Sequence, residues 1–380
     1  SQVESDLLPG EEKTLSMTLS LSGAQNIQHC EGPQFSSNWA VAGLSVAHSA
    51  ISVDASSVIA GSTVNVTLTS RDSNNELFSE GGRNVSFYLF GGTSSGTFGN
   101  VTDNNDGTYS AVFTATTAGS VGSVGATIDS LPVSSIRPGL TVLPGALSVA
   151  HSTVFVSSPT VASGSSILIT VTTRDTYGNQ LVSGGAAVVL THTGGASTLG
   201  FGTVSDLGNG NYTAEATGYV AGNPTTIAAN LNSNAITTTL PTVTVVPGPA
   251  SSSVITGDVE IDDGKCSPNP YQVSLRDSHN NQASTVGLLE LNLSSAGAGS
   301  FFSDDSCLAP ISTISISPGG TTAQFYMRSY EPGALNLTAT KASPAIASAG
   351  LSVTIKPIAA HVGPELLGMN FSNSNLFPAA

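Results

Sequence analysis

The side chains able to do chemistry are few and poorly spaced for it. Six histidines (His29, His48, His151, His192, His279 and His361) include no H-x-x-x-H pair, and the three cysteines include no C-x-x-C. No local zinc site is therefore specified. Two acidic stretches invite a cation. In Asp103–Gly107 (DNNDG) a calcium loop of the D-x-[DN]-x-[DN]-G type would need an acid or amide where Thr102 stands and a glutamate where Phe113 stands, so the stretch reads as a turn. The better calcium candidate is Asp258, Glu260 and Asp262, which alternation places on one strand face, where like charges repel and a cation would relieve them. Solvation at an exposed edge serves equally well there. No Ser-His-Asp set, carboxylate pair or phosphate loop rises above the composition, and the expectation is a protein that is not an enzyme and takes no cofactor.

Cys266 and Cys307 lie 41 positions apart. In an oxidising compartment their bond would close a loop worth about 4 kcal/mol, while a reducing cytosol would leave two buried thiols. Low charge and abundant Ser, Thr and Gly favour the exterior, and with it the disulfide. Cys30 then remains as a free thiol, a bond to sequence outside this stretch, or an intermolecular link. N-x-S/T sequons stand at Asn65, Asn84, Asn100, Asn211, Asn292, Asn336 and Asn370. Chance gives about that many in so Ser-, Thr- and Asn-rich a chain, so glycosylation depends on the source.

Charged residues make up 9% of the 380, and the formal charge is -15. A nucleic acid or an anionic membrane needs a basic face, so neither is an expected partner. No apolar run approaches the roughly 18 residues of a spanning helix. The start, SQVESDLLPG, reads as a mature end left after processing, and the irregular, partly apolar HVGPELLGMNFSNSNLFPAA at the other end reads as continuing into something further. The expected location is extracellular or at the cell surface.

Positioning elements follow from an internal repeat. Val101–Ala111 (VTDNNDGTYSA) returns 103 residues later as Val204–Ala214 (VSDLGNGNYTA), and the same shift superimposes SVAHS at Ser45 and Ser148, Arg71-Asp72 on Arg174-Asp175, Gly81-Gly82 on Gly184-Gly185, and Pro144-Gly145 on Pro247-Gly248. Each copy ends a β-branched run in Asp, crosses a turn closing on Gly107 or Gly210, and restarts at Tyr109 or Tyr212. Glycine supplies the positive φ, the tyrosine ring can enter a core, and its hydroxyl can bond back to the backbone. Arg276-Asp277 marks a third, divergent copy. His48 and His151 are equivalent and so are expected to be structural, at the first strand of each repeat. The three Arg-Asp pairs are expected to cap a turn through Asp and cover a sheet edge through Arg.

Period-2 alternation places strands in the first repeat near 45–54, 63–71, 84–90, 98–103, 108–115, 121–128 and 137–143, with Val64, Val66 and Leu68 on a dry face and Phe87, Phe98 and Phe113 in the core. The expected units are an atypical segment 1–43, repeats at 44–145, 146–248 and 249–358, and an extension 359–380. Short Pro-Gly junctions favour a semi-rigid rod. In the first segment Thr14–Leu21 alternates as a half-buried strand, and Trp39, the only Trp, serves as an anchor or plugs the first sandwich.

The run VTLTSRD…GG…VTDNNDGTYSAVFTATTAG…VLPG resembles filamin-type immunoglobulin-like repeats over roughly Leu44–Gly248. The third unit, with SPGGTTAQFYMRSYEPGALNLTAT, is more loosely similar to bacterial-type Ig-like repeats. The resemblance implies an all-β chain of tandem Ig-like sandwiches forming an elongated rod. It implies either a cell-surface adhesion or spacer protein, or a structural subunit of an extracellular filament or coat joined through its terminal segments. Expected partners are other proteins, copies of the chain, or surface glycans. Function is expected where the chain departs from its own repeat: segment 1–43, the Phe87–Ser95 region and the third unit.

Overall fold

A computed structural model of the chain describes residues 43–348 and 350–358. The strand over Thr14–Leu21, Trp39, Cys30, His29, His361, Asn370 and the terminal extension lie outside the described residues. All regular structure in the described residues is β, and no helix there is long and apolar enough to cross a membrane.

Repeat 1 contains ten strands: β1 (Ala50–Val53), β2 (Ser57–Ile59), β3 (Thr63–Thr69), β4 (Val85–Phe90), β5 (Ser95–Phe98), β6 (Thr102–Asp103), β7 (Thr108–Thr117), β8 (Gly122–Ile128), β9 (Leu131–Pro132) and β10 (Gly139–Leu143). They form two sheets, ordered β1-β3-β7-β5 and β2-β10-β8-β4, with β6 added to β7 and β9 to β8. Only the β2–β10 pairing is parallel. The faces follow the alternation. Val64, Val66 and Leu68 are buried while Asn65 is exposed, and Phe87, Phe98 and Phe113 meet in the interior with centroids 6.0 and 4.9 Å apart. Burying such side chains between two sheets supplies the main driving force for each sandwich.

The expected first strand over 45–54 is half turn. Ser45 O accepts hydrogen bonds from the Ser49 amide at 3.0 Å and from Ser49 Oγ at 2.8 Å, and Ser45 Oγ meets His48 Nδ1 at 3.0 Å. Local serine bonds of this kind compete with the sheet ladder, so β1 begins only at Ala50. Ser148, His151 and Ser152 repeat the arrangement. Likewise the expected strand over 98–103 divides into β5 and β6.

Repeat 2 reproduces both sheets. The corner forms in each: Gly107 and Gly210 take φ of 85° and 80°, Tyr109 and Tyr212 are buried, and their hydroxyls accept from the amides of Arg83 at 3.2 Å and Ala186 at 2.8 Å. Asp103 and Asp206 accept from Gly82 and Gly185, so the glycine pair is held against the corner. Tyr212→Phe is expected to lower the stability of repeat 2 by about 1 kcal/mol through the lost hydrogen bond, measured by urea unfolding.

Repeat 3 has a six-stranded and a five-stranded sheet around a core with Tyr271, Leu291 and Phe325 at its centre. Its additional strand Thr313–Ile316 pairs with Leu289–Ala296 and covers an edge that, among the described residues, stays unpaired on β4 and on Val188–Thr193 in the other repeats.

Candidate functional site

Where two repeats meet, one turn does most of the positioning. After Arg174, Asp175 Oδ1 accepts from the amides of Tyr177 and Asn179, both at 2.8 Å, and Arg174 Nη1 donates to Gly178 O at 2.7 Å. Arginine thus ties the turn itself rather than simply covering the edge. Asp175 Oδ2 reaches back along the chain and accepts from the Gly145 amide at 2.8 Å and from Asn179 Nδ2 at 2.9 Å. The Asn179 amide then crosses into repeat 1: its Oδ1 accepts from Ala118 N and its Nδ2 donates to Thr116 O, each at 2.9 Å.

The second junction is built the same way. Asp277 Oδ2 accepts from Gly248 N at 2.9 Å, Asn281 Oδ1 accepts from Ala221 N at 2.8 Å, and Asn281 Nδ2 donates to Tyr219 O at 2.7 Å and Ser163 Oγ at 3.0 Å. An aromatic ring packs beside each lock, Tyr177 against Gly61 and His279 against Gly164. In repeat 1 the position of Asn179 and Asn281 is Glu76, whose side chain has no N–H to give. The one sequence clue to these locks was an asparagine four residues after Asp in repeats 2 and 3 only.

Burial pushes the Asp277 carboxyl up, but the Asn281 side chain and the amides of Gly248, Asn281 and His279 outweigh it and hold the pKa at about 2, below the ordinary 3.8. Asp175 is held low by the corresponding donors. A carboxyl whose pKa is depressed on folding contributes stability in full above the unfolded value and loses it as pH falls through the folded value. Acidification from about pH 4 to pH 2 is therefore expected to remove about 2 kcal/mol at the second junction, and Asp277→Asn to flatten thermal stability against pH over that interval.

The remaining candidate residues are distributed rather than gathered. Cys266 and Cys307 are bonded. Glu260 pairs with Lys356, Asp262 with Lys265 at 3.2 Å, and Asp258 accepts from Asn269. Among the described residues no group of three or more possible ligands could hold a metal ion. Asn65, Asn84, Asn100, Asn292 and Asn336 are exposed and Asn211 is half-buried. Each described histidine that meets a hydroxyl does so through Nδ1 within a turn, a strand pair or a junction, and among the described residues no histidine ring hydrogen-bonds a carboxylate that would orient it for catalysis. The Phe87–Ser95 region begins on the edge strand β4, where the Tyr88 and Phe90 rings lie tilted with centroids 5.7 Å apart and Arg137 lies 5.0 Å from the Phe90 ring. In repeat 2 the corresponding residues are Thr191 and Thr193.

A family model described as invasin, domain 3 matches residues 45–137. Among solved structures the chain is similar to FdeC, an adhesin of Escherichia coli, with 23% identity over 83% of this chain and 99% of that one and a TM-score of 0.46. It is similar to InvD of Yersinia pseudotuberculosis with 23% identity over 77% of this chain and 93% of that one, TM-score 0.43. To invasin, a bacterial integrin-binding protein, the identity is 18% over 83% of this chain and 60% of that one, TM-score 0.40. Among curated proteins nothing matches. A bacterial likeness thus falls on repeat 1, and the filamin-type resemblance holds in its coarser form: repeat 1 is an immunoglobulin-like unit similar to domain 3 of invasin.

Proposed function

We propose that this chain is a non-enzymatic extracellular protein that acts in adhesion at a cell surface, its repeats at 44–145, 146–248 and 249–358 serving as a stiff spacer that carries binding faces outward. The observation that carries this reading is the Asp–Asn lock, built from equivalent residues at both junctions. A spacer that must hold a binding face at a fixed distance needs junctions of this kind, whereas flexible tethering would need none. The match of repeat 1 to a domain of invasin and the sparse charge support the same reading. Partners are proteins or surface glycans.

Displayed on a non-adherent bacterium, the chain is expected to raise attachment to cultured cells several-fold, and soluble chain to compete. Attachment no greater than that of the bare bacterium would contradict the reading. A second reading, a subunit of an extracellular filament or coat, is favoured by the edges of β4 and Val188–Thr193, which no strand among the described residues covers. Electron micrographs of the purified chain separate the two: adhesion through single molecules gives separate rods, and a filament subunit gives polymers.

A further inference from the structure

The locks define what a stacking end looks like, and repeat 3 lacks it at the corresponding pole. Gly61, Gly164 and Gly264 are equivalent, their amides donating to Ala115 O, Gly218 O and Ser329 O at 2.8, 2.9 and 2.7 Å. Three residues after those carbonyls stand Ala118, Ala221 and Pro332. The first two give their N–H to the asparagine of the next repeat, and proline has none to give. Tyr177 and His279 of the following repeat pack against Gly61 and Gly164, but Gly264 is covered by Tyr330 of the same repeat.

The same Tyr330 ring forms one side of a stack found only in repeat 3. The Arg328 guanidinium lies 5.1 Å from the ring centroids of both Tyr330 and Phe302. The equivalents of Arg328 are Thr114 and Thr217. Its Nε is buried and without a hydrogen-bond partner, and among the described residues it pairs with no carboxylate, although the chain carries 25 Asp and Glu. The loop after Phe302 is fixed by the Cys266–Cys307 bond and by Asp304, which accepts from the amides of Ser306, Leu308 and Ala309. That loop leaves Leu308 80% exposed, and Tyr330 is 66% exposed.

We infer that this pole of repeat 3 is a binding face in place of a stacking socket, and that Arg328 receives the carboxylate of an Asp or Glu side chain on a protein partner. A guanidinium packed against two rings is organised in advance for a two-point carboxylate bond. Arginine packed with an exposed tyrosine matches the composition of protein-binding hot spots, which selects a protein over a glycan acid as the source of the carboxylate. This deepens the adhesion reading and rests on it for the partner's nature, while the test below reads binding directly.

In the 15N-labelled full chain, the Arg328 Nε–Hε signal is followed while acetyl-Phe-Glu-Phe-amide, acetyl-Phe-Gln-Phe-amide or N-acetylneuraminic acid is added. A saturable shift with the Glu peptide is expected, about tenfold weaker or absent with the Gln peptide and with the sugar acid. Backbone amides of Tyr330 and Leu308 should shift together with it in the wild type and stay still in Arg328→Lys, which keeps the charge and loses the fork. Equal shifts with Glu and Gln peptides, no shift with any probe, or stronger binding of the sugar acid overturns the proposal. If displayed Arg328→Gln chain attaches to cells as well as the wild type does, this assignment fails and the adhesion reading stands; if the wild type itself does not attach, the adhesion reading fails.

Discussion

Replacing Asn179 and Asn281 together by alanine is expected to uncouple the three repeats without unfolding them. Each substitution deletes the asparagine hydrogen bonds that cross one junction, leaving at the second, among the described residues, only the Ser163 Oγ–His279 Nδ1 hydrogen bond, and strands the amide of Ala118 or Ala221. An unmade hydrogen bond at a part-buried donor costs about 1–3 kcal/mol, so each junction is expected to lose about 2–3 kcal/mol. The sandwich cores do not contain these asparagines, and the midpoint of unfolding of each repeat should move little. What should change is access to the linkers around Gly145 and Gly248, where limited proteolysis in the variant is expected to run roughly 30- to 160-fold faster, as that loss of coupling free energy implies. Linkers cleaved at the wild-type rate would show that the asparagines are decoration on a junction held by something else.

The second large effect is confined to repeat 3. Cys266 and Cys307 join the loop after Glu260–Asp262 to the loop after Phe302 across a separation of 41 residues. Restricting an unfolded loop of that size is worth about 4 kcal/mol in the chain-entropy account. The double variant Cys266→Ser, Cys307→Ser is therefore expected to lower the urea midpoint of repeat 3 alone, with repeats 1 and 2 serving as internal references. Reduction of the wild type should reproduce the shift. A loss below about 1 kcal/mol would mean that the reduced chain already holds these loops together, against the loop-entropy argument.

Much of the sandwich was legible in the sequence because its determinants are local. Alternation over Val64, Val66 and Leu68 assigns faces, and the Gly-x-Tyr corner assigns a turn and a buried ring. The SVAHS stretch deceived for an equally local reason: its alternation suits a strand, but serine hydroxyls supply the backbone with competing partners. The locks were not legible. Asn179 acts on Ala118 and Asn281 on Ala221, each about sixty residues away in the preceding repeat, and nothing near either asparagine announces a partner in another fold unit. Arg71-Asp72 and its copies were visible as a pair kept in all three repeats, but only the three-dimensional arrangement shows that Asp175 and Asp277 use one oxygen for their own turn and the other for the linker. The charge stack in repeat 3 was hidden likewise, since Phe302, Arg328 and Tyr330 come from two strands and a turn.

Residual dipolar couplings of the labelled full chain test the central claim, that equivalent locks fix the three repeats relative to one another. Amides of all three repeats are expected to fit one alignment tensor, and in the Asn179→Ala, Asn281→Ala variant each repeat should need its own, with unequal magnitudes. Three unequal tensors in the wild type would contradict the account, because the repeats would then reorient independently despite the bonds drawn across their junctions.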